Sequence, residues 1–104
     1  MSGFDNASET VRIIAATDTA TNNDYVIYAK GITGNITLNL PAVASIQPGR
    51  PYRVVKDAAA FTVTIDGSGS ETINGATTLV LAASAFHGAT VVNTGTEWVA
   101  VSTY

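Results

Sequence analysis

Two short stretches constrain this chain more than anything else in it. In Asn35-Ile36-Thr37-Leu38-Asn39-Leu40 and in Phe61-Thr62-Val63-Thr64-Ile65, apolar side chains fall at every second position. That is the period of a strand with one buried face, not of a helix. Composition agrees: leucine is confined to Leu38, Leu40, Leu79 and Leu81, while valine, isoleucine and threonine are abundant. β-Branched side chains suit a pleated, half-buried surface. Alanine is also plentiful and favours helix, so periodicity has to decide, and no stretch carries a helix of standard length.

The same reading extends along the chain. Val11–Ala16, Tyr25–Ala29, Tyr52–Lys56, Thr77–Leu81, Ala89–Asn93 and Glu97–Ser102 are further apolar runs. Between them lie the polar stretch Thr17–Asp24, the turn Gln47-Pro48-Gly49-Arg50-Pro51, the Gly/Ser run Asp66–Ser70, and Thr94-Gly95-Thr96. Asn74-Gly75 is the dipeptide that best tolerates the positive φ angles of a type I′ hairpin. Ala42–Ile46 reads as a short helical turn or an irregular crossing. Roughly eight or nine short strands at a spacing of about ten residues predict an all-β fold, a small antiparallel sandwich or barrel. No internal repeat points to a solenoid.

With 104 residues, one domain is expected: a flexible polar arm over residues 1–10, with Phe4 as its anchor, and a single β domain over 11–104. Cysteine is absent and His87 is the only histidine, which removes disulfides, thiolate zinc sites, a cysteine nucleophile and histidine-cluster metal sites. The longest apolar stretch, Leu79 to Phe86, is far shorter than the roughly 18–20 residues of a membrane span, and the N-terminus lacks the basic-then-apolar pattern of a secretion signal. A soluble chain is expected.

Only 12% of residues are charged, against about 25% in an average domain. All five basic residues, Arg12, Lys30, Arg50, Arg53 and Lys56, lie in the first 56 positions, and the net charge is −3. An acidic total opposes nucleic-acid binding. Arg12, Arg50, Arg53 and Lys56 are instead candidate contacts to an acidic partner surface or to another copy. Sheet faces rich in Thr, Ala and Val can be covered at low desolvation cost, so self-association is expected. Tyr25–Ala29 is apolar on both parities, as in a strand covered on both sides. Tyr25, Tyr28 and Trp98 are the candidate core or interface aromatics.

Other chemistry is thinly supported. Asp66-x-Ser68-x-Ser70 has a spacing that can hold a divalent cation, but between alternating strands it reads as a plain turn. His87 and Ser84 suggest a hydrolase pair without any Gly-x-Ser-x-Gly elbow. Glu71 and Glu97 would be a catalytic carboxylate pair only if the fold set them about 5–10 Å apart across a cleft. Trp98 could stack on a sugar, and is more simply a core residue. No cofactor is expected. The glycosylation patterns at Asn6-Ala-Ser8 and Asn35-Ile-Thr37 carry little weight without a signal peptide.

From Asn35 onward, the ordered set Thr37-Leu38-Asn39-Leu40-Pro41-Ala42, Gly49-Arg50 with Tyr52, Val54 and Lys56, Val63-Thr64-Ile65, Gly69, Glu71-Thr72-Ile73-Asn74-Gly75 and Gly95 with Trp98 resembles a module of bacteriophage tail-fibre and virion surface proteins. The resemblance implies a β domain of the virion exterior, made in the host cytoplasm, homotrimeric and not an enzyme. At this size it looks more like a capsid decoration (cement) protein on the major capsid protein lattice than a complete tail fibre. The alternative is a tail-fibre or tail-tip module that binds host-surface carbohydrate. Neither a membrane nor a nucleic acid is implied as partner.

Overall fold

The computed structural model describes residues 11–57 and 59–103. Among them the chain forms strands β1 (Val11–Ile14), β2 (Asp18–Thr19), β3 (Val26–Ala29), β4 (Ile36–Asn39), β5 (Pro51–Lys56), β6 (Val63–Asp66), β7 (Thr78–Leu81), β8 (His87–Asn93) and β9 (Trp98–Thr103), with one 3-10 turn at Val43–Ser45. The all-β expectation is met. The expected arm and its Phe4 lie outside the described residues.

The strands form a five-stranded sheet, β1-β3-β5-β8-β9, and a four-stranded sheet, β2-β4-β6-β7. The expectation of an antiparallel fold is corrected, because both sheets are mixed. β1–β3, β3–β5, β2–β4 and β4–β6 pair parallel, and only β5–β8, β6–β7 and β8–β9 pair antiparallel. From β1 to β6 every connection crosses to the other sheet, so the chain winds as a flattened coil and like strands stack in like direction. It then closes with β7, β8 and β9. The absence of a solenoid-like repeat in the sequence has a structural cause: Val11 stacks on Val26 and Val26 on Arg53, so successive turns differ greatly in length.

Both inner faces feed one core. Ile27, Val54 and Val91 from the larger sheet meet Leu38, Val63 and Ile65 from the smaller one, and all are fully buried. Each such side chain contributes about 1.5–3 kcal/mol by leaving water. Tyr52 and Trp98 are the largest members, with ring centroids 5.6 Å apart and planes tilted by 53°. The shortest dimension of the molecule is 21 Å, as expected for two sheets about 10 Å apart with one layer of side chains outside each.

Local chemistry sets the turns. Asn74 and Gly75 have φ of 53° and 85° and close a tight turn across the Ile73–Ala76 bridge, the geometry their dipeptide predicts. The 3-10 turn is held from afar by the fully buried Asn93: its Nδ2 donates to the Val43 and Ile46 carbonyls at 3.0 and 3.1 Å, and its Oδ1 accepts the Gly95 N–H at 2.7 Å. One amide thus ties the crossing from β4 to β5 to the β8–β9 hairpin.

Candidate interaction surface

The two sheets are dressed very differently on their outer faces. Alternation and burial put Thr19, Thr37, Asn39, Thr64, Asp66, Thr78 and Val80 on the outside of the four-stranded sheet. Val80 is the one large apolar side chain among them. On the five-stranded sheet the outward residues include Val11, Ile13, Val26, Tyr28, Val55, Val92 and Val99, with Thr90, Ser102 and the exposed Arg53 as the polar ones. β9 bulges at Val101, where the register slips opposite Thr90 and Val91. Val11, Ile13 and Val101 are 60%, 60% and 62% exposed. A chain with few charges has therefore concentrated its polarity on one sheet and left the outer face of the other mostly apolar.

At one end of the sandwich lies a closed polar cluster. Arg12, on β1, points inward and reaches three oxygens of two acids: Nε and an Nη donate to the Asp24 carboxylate, each at 3.0 Å, and the other Nη donates to Asp18 at 2.8 Å. Asp24 is only 5% exposed, and its carboxylate also accepts the Thr21 N–H at 2.9 Å. The acids raise the pKa of Arg12, its hydrogen bonds to Asp24 and Asp18 being the largest causes. Asp18 is held below the usual carboxylate range, first by the Thr19 N–H and then by Arg12.

Arg50 lies over two aromatic rings, with its guanidinium carbon 4.7 Å from the Tyr25 centroid and 4.6 Å from that of Tyr52. It also donates to the Asp24 carbonyl. Burial pushes the Tyr52 phenol up, although Arg50 works in the opposite direction, and the hydroxyl donates to the Thr21 carbonyl at 2.7 Å. These groups bond one another, and only the buried Nε of Arg50 has no hydrogen-bond partner among the described residues. They fasten the β2–β3 loop to the sheet and present no free nucleophile or base.

The basic residues expected to meet a partner are thus dispersed. Arg12 and Arg50 are committed to the loop, and Lys56 is fully buried on the inner face of β5, where its Nζ donates to the Ser84 carbonyl at 2.6 Å. Arg53 points the other way, so Arg50, Arg53 and Lys56 do not form one patch. Trp98 is fully buried, whereas Tyr25 and Tyr28 are half-buried, Tyr28 on the apolar outer face. Tyr25, Val26, Pro51 and Arg53 line an open depression of ≈ 310 Å³.

His87 is half-buried at the start of β8, opposite Lys56, and no hydrogen bond joins it to a serine or an acid among the described residues. Glu71 caps the Val43 N–H at 3.1 Å, and Glu97 accepts from Thr72 at 3.4 Å. Asp66-x-Ser68-x-Ser70 is a turn in which the Glu71 N–H bonds the Ser68 carbonyl, and no group of three or more metal-ligating side chains occurs among the described residues. No helix there is long and apolar enough to cross a membrane.

Phe86 is a feature that sequence reasoning passed over as part of a connection. It is 65% exposed and has φ of 54°, a conformation bulky side chains rarely adopt. A hydrophobic ring is therefore held out of the fold at a backbone cost, a pairing that recurs at contact sites. Only its neighbourhood could have signalled this: in Ala82–Phe86 the sole polar residue is Ser84, too short to cover the ring.

No protein-family model matches the chain, and no curated protein matches it.

Proposed function

We propose that this chain is a non-enzymatic structural protein of a bacteriophage virion exterior, a capsid decoration protein that self-associates and reinforces the head lattice. The observation that carries this reading is the unequal dressing of the two sheets. A face with one formal charge and a run of valines, isoleucine and tyrosine is suited to being covered by protein, and the opposite Thr/Asn face to remaining in water. The resemblance along residues 35–98 supplies the phage context. Homotrimer formation and binding to the major capsid protein belong to the same proposal, as does a virion-exterior location after synthesis in the host cytoplasm.

Copy number decides it. Quantitative mass spectrometry of particles that carry the protein should find hundreds of copies per head, and the purified protein should rebind heads from which it has been stripped. A handful of copies per particle would overturn the decoration reading. A second reading, a tail module that contacts host carbohydrate, is favoured by the depression beside Tyr25 and Arg53, since an aromatic ring and a guanidinium form a common sugar-binding surface. Binding to a glycan array together with low copy number would support it.

A further inference from the structure

We infer that copies of this chain join head to tail, the β1–β3 flank of one five-stranded sheet packing against the β8–β9 flank of the next, with Arg53 left in solvent between them. This rests on the self-association reading above and specifies the surface. Three observations lead to it.

First, of the five large apolar side chains that are strongly exposed among the described residues, Val11, Ile13 and Val101 lie at the two rims of this one sheet. Second, charge excludes the simplest packing. β5 is the central strand, and Arg53 stands on its outer face with no acid among the outward residues of the sheet. Two such faces laid squarely on each other would bring guanidinium against guanidinium with nothing to offset them. The flanks on either side of β5 carry no outward formal charge, because Arg12 points inward to Asp18 and Asp24. Contact through the flanks is therefore open where contact through the centre is not.

Third, the sheet is small. Strands of four to seven residues about 4.8 Å apart cover on the order of 400 Å² in all, well below the roughly 800 Å² that each partner contributes to a standard interface. A single contact of this size is weak. Two different flanks on every copy make the contact heterologous, and a heterologous contact that closes into a ring holds each copy from both sides. A trimer is a small ring of this kind. The outer face of the other sheet does not take part.

The test uses the full chain in sedimentation velocity and native mass spectrometry across a concentration series. The variants are Ile13→Lys on one flank, Val101→Lys on the other, Arg53→Ala at the centre and Val80→Lys on the Thr/Asn face. Far-UV circular dichroism checks that each is folded. Ile13→Lys and Val101→Lys are each expected to run at the mass of one chain, while Arg53→Ala and Val80→Lys assemble as the wild type does. The inference is overturned if only one flank variant dissociates, since the contact would then join identical flanks. It is equally overturned if both still assemble, or if Val80→Lys dissociates. A wild-type chain that stays monomeric at every concentration would instead remove the self-association reading itself.

Discussion

Replacing Asp24 by alanine should cost far more stability than its place in a Thr/Asn-rich loop suggests. The substitution removes both charge-assisted bonds from Arg12 and the acceptor for the Thr21 N–H. Breaking a buried ion pair from one side costs about 3–5 kcal/mol, but the Arg12 side chain is 34% exposed and keeps Asp18 as partner, so water and the second acid soften the loss. Roughly 2–4 kcal/mol is expected, a large part of the 5–15 kcal/mol that holds a typical domain together. Near the melting point this corresponds to a fall of about 10–20 °C for a domain of this length. Arg50 bonds the Asp24 backbone carbonyl, which alanine keeps. The loss therefore reports on the carboxylate alone. Asp18→Ala is the comparison: its side chain is 45% exposed, and exposed pairs contribute up to about 1 kcal/mol. Thermal and urea unfolding at neutral pH and equal protein concentration would measure both. Equal losses for the two variants would refute the view that Asp24, and not the ion-pair cluster as a whole, locks the loop.

Three further outcomes follow from the structure. The folded Asp18 carboxyl lies below its ordinary range, so the unfolded chain takes up the proton first as pH falls; the stability Asp18 contributes is present above about pH 4 and lost below. Urea melts of wild type and Asp18→Asn should differ at pH 7, and the difference should shrink as the pH is lowered through the acid range. Asn93→Ala removes three hydrogen bonds from a fully buried site, leaves two carbonyls and an N–H without it, and should cost about 3–5 kcal/mol in chemical denaturation. Phe86→Asn should leave the thermal midpoint unchanged or raise the stability by about 1 kcal/mol, because asparagine tolerates positive φ and the exposed ring packs little; a drop of similar size would mean that the ring is part of the core.

Strand positions were legible because side-chain alternation and turn chemistry are local. Ile36 and Leu38, Val63 and Ile65 all face inward as their spacing requires, and Asn74-Gly75 turns where it should. β2 was not legible: two residues, Asp18 and Thr19, carry no period, and they sit in a stretch that reads as loop. Strand direction was hidden for a different reason. Side chains alternate identically in parallel and antiparallel ladders, so the run from Tyr25 to Ala29 cannot announce that its neighbours on both sides are parallel. Charged residues misled most. Lys56 and Arg12 look like surface groups in any sequence, and only the folded chain shows one buried against Ser84 and the other closing a loop. Apolar residues on both parities of Tyr25–Ala29 did signal an outer face with little polarity, which is where Val26 and Tyr28 lie.

The flattened coil has a consequence for how the chain is born. Among the described residues its only neighbours in both sequence and sheet are β6–β7 and β8–β9, so the local, quickly formed strand pairs seen there lie in the C-terminal half. The parallel pairs of the N-terminal half close long loops, which is slow, and β5 is completed only when β8 arrives to flank it. A ribosome releases this chain in the opposite order, strands first and their organising hairpins last. The parallel pairs β1–β3 and β3–β5 therefore stand without the antiparallel flank of β8 and β9 until the last fifth of the chain is made.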